Sequence, residues 1–197
     1  ENTDPYDVVI VGDDAALQFA MEYREELFPE IPVVFEGVND EEYAMKAAEN
    51  PLVTGIIEKL SVEKNIDMAL KVNPTADKVV AILDDSVTAD AERKNFYNSA
   101  ENYPELEFSE INAAELETAR LQQAISKVDD KTILIYIVMS KDGSGKQYTS
   151  DQALCMIVDY AKVPVYRMVE AGIGDGLLGG NVVSMYKSGE IAAQMAM

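Results

Sequence analysis

The sequence contains no histidine, and that absence removes imidazole acid–base chemistry, triads with a histidine base, and the commonest metal ligand together. Cysteine is almost as scarce. A lone Cys155 excludes cysteine-built zinc sites and any disulfide within the chain. It lies in the apolar helical run Ala153 to Val158, a context that predicts a buried, inert thiol. So little cysteine fits a cytosolic or an exported bacterial protein equally. Basic residues are few, 16 lysines and arginines against 36 acids, for a formal net charge of −20. Such a surface repels nucleic acid and anionic lipid, so no nucleic-acid partner is expected. No apolar run approaches the roughly 20 residues of a membrane helix, and no signal peptide opens the chain. The polar opening Glu1 to Pro5 and an end inside the helical pattern Gly189 to Met197 predict a piece of a longer protein.

What is present is an α/β rhythm in 197 residues, enough for one large or two small domains. Val8 to Val11 is an apolar run ending in Gly12-Asp13-Asp14, the pattern of a parallel strand buried on both faces and closed by a polar loop. Asp13 or Asp14 can cap the helix predicted from about Ala15 to Leu27, whose apolar residues recur at three- and four-residue steps. A second run, Pro32 to Phe35, ends in Glu36-Gly-Val-Asn39. Then come a short acidic helix over Asp40 to Asn50, an extended segment from Pro51 to Glu58, and a helix over about Val62 to Val72. Lys78 to Leu83 repeats the opening theme, ending in Asp84-Asp85-Ser86-Val-Thr88 before a helix through Asn102. A strand over Leu106 to Ile111, a helix over Ala114 to Val128 and the very apolar strand Thr132 to Met139 follow. After the loop Ser140 to Lys146, Thr149 or Ser150 caps a helix to about Ala161, and Val163 to Met168 is the next strand. Strands alternating with helices argue for βαβ units and parallel sheets with helices on both faces. Ligands of such sheets bind beyond the carboxyl ends of strands, which makes these polar loops the candidate site. The chain closes with a glycine-rich loop, Ala171 to Gly180, a strand-like run Asn181 to Tyr186, and a helix from about Ser188.

Three motifs have weaker readings. Gly174-x-Gly176-x-x-Gly179 matches a dinucleotide fingerprint in spacing, but that fingerprint must open a helix, and here Val182 and Val183 follow. A glycine loop or hinge is the better reading. Gly143-Ser-Gly-Lys146 lacks the phosphate-loop frame and has Gln147 where a magnesium-binding hydroxyl belongs, so it reads as a turn. Asp13-Asp14 and Asp84-Asp85 could serve as paired acids or magnesium ligands, but as caps and loop carboxylates they are ordinary. No metal or cofactor is expected.

Asp7-Val-Val-Ile-Val-Gly-Asp-Asp-Ala-Ala-Leu17, Tyr23-Arg-Glu-Glu-Leu-Phe-Pro29, Pro32-Val-Val-Phe-Glu-Gly-Val-Asn39, Thr54-Gly55, Gly179-Gly-Asn-Val-Val-Ser184 and Gly189-x-x-Ala192-Ala193 together carry a family likeness. The chain resembles the type I periplasmic-binding-protein fold, in the ABC-transporter substrate-binding-like family. It is most similar to members that serve as extracytoplasmic sensor domains of bacterial histidine kinases and related receptors. The resemblance spans nearly the whole chain and implies two lobes, residues 1–58 with 176–197 and residues 59–175, closing on a small molecule. It implies a cleft formed by Asp13, Asp14, Ala15, Glu36, Gly37 and Asn39 from the first lobe. Asp85, Ser86, Thr88, Ser140, Glu170 and Gly174 would face them from the second. Family members usually begin the first lobe with another strand–helix–strand portion, so here that lobe is expected to be incomplete. Either truncation or cleavage removed the portion, or another copy covers the lobe in a homodimer.

The resulting expectation is a non-enzymatic, membrane-attached, extracytoplasmic sensor domain that closes on a small polar metabolite. Acidic loop residues suit a cationic group and helix N-termini suit an anionic one, so a zwitterion would satisfy both. Two alternatives stand beside it: a transporter's solute-binding protein, and a carboxylate-based enzyme using Asp13, Asp14 or Asp85.

Overall fold

A computed structural model describes residues 6–197; the polar opening Glu1 to Pro5 lies outside the described residues. The chain divides into two compact units, one of residues up to Lys59 with Ser184–Met197, the other Leu60–Val183. Among the described residues no helix is long and apolar enough to cross a membrane.

The first unit is a parallel sheet of β1 (Val9–Gly12), β2 (Val33–Val38) and β3 (Val53–Ile57), in that order. Period-two alternation along β2 sends Val33 and Phe35 to one face, where they meet Leu17 of α1 (Asp14–Glu22) and Ala44 of α3 (Glu41–Ala47). Glu36 points the other way, to the C-terminal helix α8 (Met185–Ala196), which packs on β2 and β3. Gly55 lets β3 lie against β2, since a Cβ there would collide with the carbonyl and ring of Phe35. The first helix is shorter than its pattern predicts. It stops at Glu22, and α2 (Arg24–Leu27) begins after Tyr23 with Arg24 buried and donating to the Ile31 carbonyl.

β1 departs from the expectation of a strand buried on both faces. It pairs only with β2 among the described residues, and Ile10 is 48% exposed while its partner Val34 is 2% exposed. Among the described residues the apolar run is therefore an edge strand. The run Asn181 to Tyr186 is no strand either: one bridge joins Val169 to Val183, and Ser184 caps α8, whose first turn begins at Met185.

The second unit is a parallel sheet in the order β5 (Glu107–Asn112), β4 (Lys78–Leu83), β6 (Thr132–Tyr136), β7 (Val165–Arg167). Its two faces bury separate cores. On one, Val79, Ala81, Ile133 and Ile135 meet Ile66 of α4 (Val62–Val72) and Phe96 of α5 (Val87–Ser99). On the other, Ile82, Leu134, Tyr136 and Val165 meet Leu121 of α6 (Thr118–Ser126) and Ile157 of α7 (Ser150–Tyr160). Fully burying one such side chain contributes about 1.5–3 kcal/mol, so these layers dominate the stability of the unit. The chain leaves β4 for β5 on one side and returns past it to β6 on the other. Strand order thus reverses between β4 and β6, the switch point at which open sheets form their binding crevice.

Candidate functional site

In the first unit the three strand ends bring Asp13, Asp14, Glu36, Gly37, Asn39 and Glu58 together. Asp13, with φ of 78°, caps α1 by accepting from the Asp14 N–H at 2.7 Å. Asp14 is buried and spans to the next loop, accepting from Asn39 N–H at 3.1 Å and Asp40 N–H at 2.9 Å. Burial raises its pKa, and those two backbone bonds oppose the rise. Gly37, with φ of 64°, makes the irregularity at which β2 slips against β3. Glu36 lies over Gly12 and accepts from Ser188 Oγ at 2.7 Å, which ties β2 to α8. Ala15 is exposed in the first turn of α1.

Glu58, just beyond β3, is the member that the sequence reading missed. It is buried, and its carbonyl accepts from Asn39 Nδ2 at 3.3 Å. Burial raises its carboxyl to about 7; the Asn39 side chain lowers it, and the charges of Asp13, Glu36 and Asp14 push it up again. The available signal was position, since Glu58 ends the third apolar run as Glu36 ends the second.

In the second unit the switch point is closed by Asp84 rather than by its neighbour Asp85. Asp84 is fully buried and accepts from Ser140 N–H at 2.7 Å, Ser140 Oγ at 2.5 Å and Ser86 N–H at 3.0 Å. Burial pushes its pKa up, but the bonds from Ser140 and Ser86 outweigh it and hold the carboxyl below its ordinary value. Arg93 braces the same turn, donating to the Asp84 carbonyl at 2.7 Å while pairing with Glu110 at 3.0 Å. Ser86 caps α5 by accepting from Ala89 N–H, and Thr88 lies in that first turn. Asp85 is exposed and pairs with Lys141 at 3.0 Å. Thus Asp85, Ser86 and Ser140 flank one point, the end of β4 and the loop after β6. Glu170 and Gly174 lie beyond β7, where the Glu170 N–H donates to the Val183 carbonyl and Gly174 has φ of 93°.

The glycine segment opens no helix. It is a chain of turns, with Gly172, Gly174 and Gly176 all at positive φ, as a loop reading requires. The Gly143 to Lys146 turn is likewise tied to itself, because buried Asp142 accepts from Ser144 N–H at 3.0 Å and Lys146 N–H at 3.1 Å. Asp142 also takes bonds from Thr118 and Tyr148, and together these hold its carboxyl far below the ordinary range despite burial.

Cys155 reverses its expectation. It is exposed, because the buried face of α7 carries Ala153, Met156 and Ile157 and turns position 155 outward. It lines a groove of about 490 Å³ with Thr118, Lys146 and Tyr148, which none of the expected site residues reaches. Among the described residues no group of three or more Cys, Asp or Glu is placed to hold a metal ion.

Both sheets thus present polar loops at the carboxyl ends of parallel strands, each braced by a buried carboxylate, a scaffold suited to holding a small ligand. No curated protein and no solved structure matches the chain. The model of one family, described as ABC transporter substrate binding protein, matches residues 2–197. Since that match takes in nearly every residue and the fold is of parallel sheets flanked by helices, the chain belongs to the ABC transporter substrate-binding protein family.

Proposed function

We propose that this chain is the extracytoplasmic ligand-binding domain of a membrane-attached sensor, and that it holds a small polar metabolite without transforming it. In this reading Asp13, Ala15, Glu36, Gly37 and Asn39 line the ligand from the first unit. Asp85, Ser86, Thr88, Ser140, Glu170 and Gly174 line it from the second. Asp14 and Asp84 keep the two sets of loops in shape. What carries the reading is the paired bracing itself: in each unit a buried carboxylate spans two strand-end loops. Loops fixed in that way lose little entropy when a ligand arrives.

A melting-temperature screen of the protein with amino acids, nucleosides, sugars and carboxylates tests this. A ligand at about 100 times its Kd adds about 2.7 kcal/mol of stability. A screen in which no member of any class stabilises the protein would overturn the reading. The same family description is compatible with a second context, a transporter's solute-binding protein. The natural protein's sequence beyond Met197 separates the two, since a membrane helix leading to a signalling domain belongs to a sensor.

A further inference from the structure

Arg167 is the last residue of β7 and the only basic residue in the apolar run from Val163 to Met168. It pairs in register with Tyr136, the last residue of β6, and its guanidinium carbon lies 4.0 Å from the centre of the Tyr136 ring. Nε and Nη1 are sealed from solvent, and neither finds an acceptor among the described residues. None of the ion pairs among the described residues includes it.

This is an expensive arrangement. A buried donor without an acceptor forfeits the hydrogen bonds it made to water, and a cation forfeits more. Cation–π contact with one ring returns only part of that loss. Arg93 of α5 shows the ordinary solution, since its guanidinium meets Glu110 of β5, Asp90 and the Asp84 carbonyl. Apolar replacement of Arg167 would cost the fold nothing in hydrogen bonds. A guanidinium held only by an aromatic face also gives up no hydrogen bond when it turns toward an incoming anion, so the anion collects the full gain. The position suits this, because β6 and β7 end on the carboxyl side of the sheet, where ligands of parallel sheets bind.

We propose that Arg167, resting on Tyr136, is the anion-recognition residue of this domain and takes the carboxylate of a small-molecule ligand. The proposal rests on the ligand-binding reading above and narrows its ligand class to carboxylates, amino acids included. Beside β7 runs the glycine segment, with Leu178 accepting from the Arg167 N–H at 2.9 Å.

The test is the melting temperature of the whole chain, as wild type, Arg167→Met and Arg167→Lys, in sodium acetate, in acetamide, and in sodium chloride matched for ionic strength. Acetate should raise the wild-type melting temperature above both controls. Arg167→Met should abolish the acetate-specific rise, and Arg167→Lys should keep a reduced one. Without ligand, Arg167→Met should melt no lower than wild type, because it removes unpaired donors. For any carboxylate metabolite that binds, Arg167→Met should raise Kd roughly ten- to a hundredfold. Acetate that shifts wild type and Arg167→Met equally, or shifts neither, overturns the proposal, as does a clear loss of ligand-free stability in Arg167→Met. Failure of the broader reading looks different: there no metabolite of any class stabilises the wild type.

Discussion

At the scale of single residues, four buried carboxylates with shifted pKa values fall into two kinds. Asp84 and Asp142 are buried and richly bonded, so their pKa values fall, whereas Asp14 and Glu58 are buried with less compensation and their values rise. The signs follow by linkage. Glu58 has an ordinary value of 4.5 and a folded value of about 7, so between these pH values the folded state holds a proton that the unfolded state has released. Stability should be greatest near pH 4.5, fall as pH rises toward 7, and then level off. The full difference is about 3 kcal/mol. Glu58→Gln should flatten that decline and stabilise the protein at pH 8, read by urea unfolding across a pH series. An unchanged slope in the variant would remove Glu58 as its source. Asp84 and Asp142 act in the opposite sense and in another window. Their contribution is complete above about pH 4 and is lost as pH falls below it.

At the scale of elements, the Asp84 clasp joins the turn after β4 to the loop after β6. Asp84→Ala would leave the Ser86 N–H and the Ser140 N–H and Oγ without their acceptor at a partly buried turn, at a cost of about 1–3 kcal/mol. Chemical denaturation would measure it, and a loss below about 1 kcal/mol would mean that water replaces the carboxylate. Gly55→Ala probes the other sheet. Its Cβ would meet the Phe35 carbonyl, a backbone atom that cannot step aside, so overpacking should cost about 1–3 kcal/mol.

The strands and most helices were legible because period and caps are local signals. Lys78–Leu83 and Val62–Val72 fall where the residues place them, and Thr149 makes a full capping box with Gln152. What the sequence hid depends on distant residues. The first helix is interrupted at Tyr23, beside a buried Arg24 bonded to the distant Ile31 carbonyl, and Cys155 faces outward because α7 turns its other side to the core. Within the candidate site, loop position was readable, but which aspartate of a pair turns inward was not. Asp84 and Asp85 are chemically alike, and only the fold makes one a buried clasp and the other an exposed partner of Lys141.

For the whole molecule, the excess of acids over bases works against compactness. With a net charge of −20, like charges repel, and added salt screens that repulsion beyond about 10 Å at 0.1 M. Melting temperature should therefore rise from low salt to about 0.5 M sodium chloride. A fall over that range would mean that the specific ion pairs, such as Arg93 with Glu110, outweigh the net repulsion.

The same repulsion has a second task, set by β1. Among the described residues β1 pairs on one side only, which leaves a row of amide and carbonyl groups without a strand partner, and beside it stands Ile10, half exposed. Two molecules that meet edge to edge could extend one sheet into the next, and the charge they share is what keeps them apart. Salt that steadies each fold therefore also shortens the life of the solution, and Ile10→Lys should restore it.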